Sequence, residues 1–173
     1  MISAIVAVDK NWGIGFEGQL LERLPPDMKY FKETTEGHIV VMGRKTWDSI
    51  PKKPLADRIN IVISNSMFPF NCLYEWDVIK YSSICMTMNY AINYIHSVNT
   101  DKDVFIIGGG EIYKQLLPYC DRVYVTKIEK SHKDVDTLFP NLDKDPNWEV
   151  STCTELRDYE NIPYAFLTYD RIS

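Results

Sequence analysis

Twice in this chain a run rich in β-branched residues ends in glycine and passes straight into a helical stretch. The first is Val40-Val41-Met42-Gly43-Arg44-Lys45-Thr46-Trp47. The second is Ile106-Ile107-Gly108-Gly109-Gly110-Glu111-Ile112-Tyr113. Near-continuous apolar runs of this kind are expected of strands buried on both faces, as in a parallel sheet covered by helices. A strand that turns at glycine into a helix also brings unpaired N–H groups and the positive end of a helix dipole to one edge of that sheet. The repeated pattern therefore constrains fold and ligand together.

Further strand-like runs are Ile2 to Val8, Ile39 to Met42, Ile59 to Ile63, Val104 to Ile107, Val123 to Ile128, Trp148 to Cys153 and Ala165 to Tyr169. Helical stretches lie between most of them. Pro25-Pro26 opens one, with Asp27, Met28 and Phe31 expected on an inward face and Lys29, Lys32 and Glu33 outward. Thr46 to Ile50 reads as a short helix ended near Pro51, Met86 to Val98 as an amphipathic helix, and Gly110 to Leu117 as a helix stopped by Pro118. The alternation predicts an α/β fold, a single domain over residues 1–173. Its central twisted sheet is mostly parallel, with helices on both faces and the last two strands forming an antiparallel hairpin at one side. Asp9 to Leu24, with Gly13, Gly15 and Gly18, reads as a long loop without an element, and hence as a functional loop or lid.

The 173 residues suit one domain, and 45% hydrophobic with 25% charged residues is a globular composition. No apolar stretch approaches the roughly 18 residues of a membrane span. The start, Met1-Ile2-Ser3-Ala4-Ile5-Val6-Ala7-Val8, reads as a buried strand rather than a secretory leader, so a cytoplasmic protein is expected. A net charge of −5 argues against a nucleic-acid binder. Cys72, Cys85, Cys120 and Cys153 contain no Cys-x-x-Cys pair and are expected as reduced thiols rather than two disulfides. His38, His96 and His132 show no metal-ligand spacing and read as surface or strand-end residues; no metal is expected.

Cations at a helix start oppose the dipole unless an anion binds there, so Arg44 and Lys45, followed by the Thr46 hydroxyl, read as a phosphate site. The triple glycine is neither a Gly-x-Gly-x-x-Gly fingerprint nor a Walker loop, and alone it also fits a structural turn. Two such sites in one domain suggest a dinucleotide, with a pyrophosphate and an extra phosphate. Asp27 either points into an apolar cleft with a raised pKa or merely complements the helix dipole; spacing leaves both open.

Taken in order, further motifs join these. They are Gly13-Ile14-Gly15, Leu24-Pro25-Pro26-Asp27-Met28-Lys29-Tyr30-Phe31, Pro54-Leu55 followed by Arg58, and Asp136-Thr137-Leu138-Phe139-Pro140. Together they resemble dihydrofolate reductase over nearly the whole chain. The resemblance implies NADPH-dependent reduction of 7,8-dihydrofolate to 5,6,7,8-tetrahydrofolate, by hydride transfer to C6 with protonation at N5, in support of one-carbon metabolism. It also implies antifolate inhibitors and a monomer, and no fused thymidylate synthase is expected.

By motif, Asp27 is then the acid that binds the pterin amino group and N3, with Tyr113 and Thr126 counted beside it as catalytic. Ile5, Val6, Ala7, Met28, Phe31, Ile50 and Leu55 form the substrate's apolar walls, and Arg58 pairs with its α-carboxylate. Arg44, Lys45, Thr46 and Ser64 hold the cofactor's phosphates next to Gly43. Gly108, Gly109 and Gly110, with Glu111 and Ile112, admit the pyrophosphate. Ile107 and Tyr113 flank the nicotinamide, and Ala7 and Ile14 meet its carboxamide. One position departs from the pattern. Much of the family reads Leu-Pro-Trp before the helix, whereas here the stretch is Leu20-Leu21-Glu22-Arg23. A Glu22 that points inward is expected to raise the pKa of Asp27; one that faces solvent or pairs with Arg23 is not. Two other readings share the NADPH side: the reductase of riboflavin synthesis and a non-catalytic nucleotide-binding module.

Overall fold

The computed structural model describes residues 1–65, 83–97 and 100–172; Cys72 and Val98 lie outside them. In chain order the strands are β1 (Ile2–Val8), β2 (Gly13–Phe16), β3 (Gln19–Leu20), β4 (Ile39–Gly43), β5 (Ile59–Ile63) and β6 (Ser83–Met86). They continue as β7 (Val104–Gly108), β8 (Arg122–Ile128), β9 (Thr137–Leu138), β10 (Trp148–Cys153), β11 (Arg157–Tyr159) and β12 (Ile162–Arg171). The helices are α1 (Pro25–Thr35), α2 (Arg44–Ser49), α3 (Met88–Ser97) and α4 (Gly110–Leu116).

The main sheet runs β10-β12-β8-β1-β7-β4-β5-β6, with β11 beside β12. Every pairing from β8 through β1, β7, β4 and β5 to β6 is parallel; those of β12 are antiparallel. The parallel part needs helical crossovers, and these cover both faces. Ile5, Val40, Met42, Val62 and Phe105 form one core with Phe31 of α1 and Trp47 of α2. Their strand neighbours Ala4, Val6, Ile39, Val41, Ile61 and Ile106 form the other, with Ala91 and Ile95 of α3 and Leu116 of α4. Strict alternation of side chains along each strand produces this division. Burying each of the Val, Ile, Leu, Met and Phe side chains contributes about 1.5–3 kcal/mol, and it is this double-sided burial that reads in the sequence as near-continuous apolar runs.

The antiparallel pair expected at the carboxyl end is present: β10 runs against β12 at one side of the sheet, with the short β11 in the connection between them. The later strand is the inner one. β12 lies between β8 and β10, and pairs with β8 from Tyr164 opposite Ile128 to Asp170 opposite Arg122.

Two expectations are corrected. Residues 9 to 24 are not a loop without elements. β2 and β3 form a hairpin there, turned at Glu17 (φ 49°) and Gly18 (φ 76°), and β2 also pairs with β9. Two consecutive positive φ values give a turn whose twist matches a hairpin. The sequence hides this sheet because its strands are short and β9 is distant along the chain. The helix starts and ends also move: α2 begins at Arg44, and Leu117–Tyr119, with Pro118 inside it, forms a separate 3₁₀ turn after α4.

Candidate active site

Neighbouring parallel strands carry the two glycine turns, so the turns lie side by side at the carboxyl edge of the sheet. Met42 of β4 is in register with Gly108 of β7. A Cβ added at Gly43 would stand 2.8 Å from Ile112 Cγ1, and one at Gly109 would stand 3.3 Å from Thr46 Oγ1. At Gly110 it would meet Thr137 Cγ2 at 2.5 Å. Gly108 has φ +117°, a conformation that glycine alone adopts readily. Neither Gly43 at the start of α2 nor Gly109 at the start of α4 is accompanied by a side-chain cap. The result is a paired, backbone-lined cradle with N–H groups presented at both helix starts.

The charged groups of the first turn stand beside that cradle. Arg44 and Lys45 are exposed, and Arg44 Nε is 3.6 Å from Asp48 Oδ2. Thr46 is partly buried. Ser64 follows β5 and donates its N–H to the Met86 carbonyl. Glu111 is exposed and accepts from Gln115 Nε2, while Ile112 is buried beneath the turn. Ile107 packs with the core on the α1 side, and Ile14 is buried on β2.

Asp27 lies in the first turn of α1 and faces β8. Thr126, itself 1% exposed, donates from Oγ1 to Asp27 Oδ1 at 2.6 Å. Burial pushes the Asp27 carboxyl up, and the Thr126 bond only partly opposes it. Phe31, Ile50 and Leu55 join Ile5, Met42 and Trp47 in one apolar cluster. Ala7 belongs to a neighbouring cluster with Leu24, Phe166 and Tyr30.

Two of the expected wall residues differ. Met28 is 50% exposed, because it sits about 100° around the helix from Asp27 rather than on the inward line with Phe31. Val6 sends its side chain into the opposite core, as the alternation of β1 requires, so only its backbone lies on the Ile5 side.

Tyr113 and Arg58 are both held from behind. The Tyr113 hydroxyl is buried and donates to the Ile5 carbonyl at 2.7 Å, tying α4 to β1; burial keeps it protonated far above the ordinary phenol range. Arg58 is 6% exposed. Its Nε donates to Ala56 O at 2.9 Å and its Nη1 to Thr35 Oγ1 at 3.0 Å, and the guanidinium lies 5.9 Å from the Phe31 ring centre. These contacts fix the plane of the fork. Burial lowers the pKa of Arg58, which keeps its charge at any ordinary pH.

The profile of the family described as dihydrofolate reductase matches residues 1–171. The chain belongs to the dihydrofolate reductase family. It is 36% identical to a dihydrofolate reductase of Bacillus subtilis, with 99% of this chain and 95% of that protein covered. It is 35% identical to one of Heliothis virescens, covering 99% and 97%. A bifunctional dihydrofolate reductase-thymidylate synthase of Daucus carota is 37% identical over 97% of this chain. The chain spans about a third of the length of such bifunctional relatives.

Within this family member, Glu22 takes neither orientation expected of it. It is bound by Lys130 and by His132 Nε2, the latter at 2.9 Å. Burial pushes its carboxyl up, but the bonds from Lys130 and His132 outweigh that and the net shift is down. The upward shift of Asp27 comes from burial, and the Glu22 charge has no part in it. His132 is correspondingly not a plain surface residue: its side chain is 15% exposed and also reaches Asp9. Asp9 and His132 carry no motif, and their partnership, 123 positions apart, leaves no local signal. His38 and His96 are plainer. The Asp103 N–H donates to His38 Nδ1, and His96 meets the Tyr119 ring edge-on. Among the described residues Cys120 and Cys153 are free thiols, and no group of three acidic, His or Cys side chains is placed to hold a metal.

Proposed function

We propose that this chain reduces 7,8-dihydrofolate to 5,6,7,8-tetrahydrofolate with NADPH. The observation that carries the reading is a partly buried Asp27, bonded to Thr126 and near Tyr113, whose ring stands against Gly108 of a paired glycine cradle. The cradle suits a dinucleotide phosphate: its backbone is bare, two helix starts point to one place, and two cations and a hydroxyl flank it. Gly43, Arg44, Lys45, Thr46 and Ser64 would hold the phosphates, with Gly108 to Ile112 around the pyrophosphate and Ala7, Ile14, Ile107 and Tyr113 around the nicotinamide. When bound, NADPH supplies the hydride.

The remaining roles belong to the chain. Asp27 accepts hydrogen bonds from the pterin amino group and N3, and its negative charge raises the basicity of N5, which takes its proton through water. Ile5, Phe31, Ile50 and Leu55 exclude water around the rings. Arg58, its plane set by Ala56 and Thr35, offers its remaining N–H donors to the substrate's carboxylate. The net charge of −5 is no obstacle, because field strength in a cleft follows local placement rather than the total. No helix among the described residues is long and apolar enough to cross a membrane, and we read the protein as a cytoplasmic monomer open to antifolates. The test is loss of NADPH absorbance on addition of dihydrofolate. Turnover that survives in Asp27→Asn at neutral pH, or NADPH binding without oxidation, sinks the reading.

A further inference from the structure

His132 sits between two carboxylates that belong to different parts of the fold. Its Nδ1 is 3.3 Å from Asp9 Oδ2, just past the end of β1, and its Nε2 is 2.9 Å from Glu22 Oε1, just before α1. Its backbone N–H also donates to Asp9 Oδ2, at 3.1 Å. The Asp9 side chain is 0% exposed, and its other oxygen accepts the Asn11 and Gly13 N–H groups, each at 2.8 Å. Lys130 holds Glu22 from the same β8–β9 connection that carries His132. A carboxylate only accepts hydrogen bonds, and a neutral imidazole has one N–H to give. Two carboxylates on its two nitrogens therefore require the imidazolium for both bonds to exist.

Glu22 is followed two residues later by Leu24, which is 2% exposed and whose carbonyl accepts the Met28 N–H in the first turn of α1. What holds Glu22 thus holds the entry to the helix that carries Asp27. We propose that His132 is a positioning residue for the reaction: as an imidazolium it bridges Asp9 and Glu22 and so fixes the start of α1 and the seat of Asp27. The proposal rests on the reductase reading above.

Other charges share the neighbourhood. Burial pushes the Asp9 carboxyl up, but the Gly13, His132 and Asn11 N–H groups and the His132 ring outweigh it, so both bridged carboxyls stay ionised in the range where imidazole ordinarily changes charge, about pH 5–8. Lys130 is on Glu22, Lys10 pairs with Glu129, and Glu17, Lys133 and Asp134 line the groove of about 390 Å³ that His132 shares with the β2–β3 hairpin. Among the described residues, the His132 ring is the side chain that reaches both carboxylates.

The test has two arms. In ring-¹⁵N-labelled protein, both His132 nitrogens should carry protons at about pH 6 and one should be lost on raising the pH; a ring with a single proton at pH 6 overturns the proposal whatever the enzyme does. In the second arm the KM for dihydrofolate is followed from about pH 5.5 to 8.5 with saturating NADPH. In wild type it should rise with the same midpoint as the ring titration. In His132→Gln it should be raised about tenfold at low pH, the change one lost charge-assisted bond carries, and lose that inflection. His132→Arg, which keeps two donors and the charge at every pH, should restore a low, flat KM. A His132→Gln profile that superimposes on wild type overturns the proposal. Absence of any wild-type turnover refutes the reductase reading instead, and the ring titration still judges the bridge.

Discussion

The Thr126 hydroxyl donates to Asp27 Oδ1 at 2.6 Å across 99 positions of the chain. Among the described residues it is the side-chain hydrogen bond that acts directly on the acid, and it favours the charged form in a place where burial favours the neutral one. Thr126→Val removes the donor and leaves burial unopposed. The Asp27 carboxyl should then titrate higher, and the acid limb of the kcat/KM profile should move to higher pH. Charge-assisted bonds contribute about 1.5–3 kcal/mol, so the variant should also bind substrate about 10- to 100-fold less well if the carboxylate goes neutral at the assay pH. A profile that does not move would show that the bond has no electrostatic part in the site.

Asp27→Asn should separate stability from activity. Because burial raises the Asp27 carboxyl above its unfolded value, the folded protein holds that proton the more tightly. The resulting contribution to stability is complete at low pH and is lost as the pH rises through the raised value. At neutral pH the wild type carries an ionised, partly desolvated group that Asn lacks, while Asn Oδ1 can still accept from Thr126. The variant should therefore melt higher than wild type near pH 7 and show no such gain below about pH 4, where an ordinary Asp is protonated too. Turnover should fall by about 100-fold or more at neutral pH, the size of effect that oriented charge has on a transition state. The fall should be smaller in acid, where solution protonates the substrate. Paired melting and rate measurements across pH decide it.

Tyr113→Phe tests whether the phenol carries a proton for the reaction. Its hydroxyl is directed at the Ile5 carbonyl and held protonated by burial, so its part is to tie α4 to β1. Removing it leaves a buried carbonyl without that donor, at about 1–3 kcal/mol of stability. The unfolding free energy from denaturant titration should drop by that amount while the shape of the pH–rate profile stays as in wild type. A lost inflection would return the hydroxyl to the chemistry.

Gly43→Ala probes the cradle. The new methyl would meet Ile112 Cγ1 at 2.8 Å, closer than carbon atoms tolerate. Overpacking of this kind costs about 1–3 kcal/mol, and here the strain lands between the two helix starts. The KM for NADPH should rise more than the KM for dihydrofolate. Equal effects on both would mean that the two turns do not form the cofactor's seat.

Much of this architecture is legible in the amino-acid order, and the exceptions share a cause. β1, β4, β5 and β7 announce themselves because burial on both faces makes nearly every position apolar, Ser3 and Asn60 being the polar exceptions. Asp27, Gly43 and Gly108 to Gly110 announce themselves because a charge or a bare backbone in such surroundings needs a reason. Val6 and Ile5 enter different cores, which their shared run does not announce, because membership of an apolar run does not say which face a side chain takes; register does. β2 and β3 stay hidden because their third strand, β9, lies far along the chain and glycine blurs the alternation. The bridge of Asp9, Glu22 and His132 is hidden for the same kind of reason. Each residue alone resembles an ordinary surface charge, and only folding brings them within hydrogen-bond reach.

The interlocked glycine turns have a consequence for how this end of the molecule can change over time. Gly43 faces Ile112, Gly109 faces Thr46, and Gly110 faces Thr137, each with little or no room for another carbon. A side chain added at one of these glycines is tolerated only when its opposite number shrinks or shifts. Among descendants of this chain, a change that persists at position 43, 109 or 110 should therefore arrive together with a change at 112, 46 or 137 respectively.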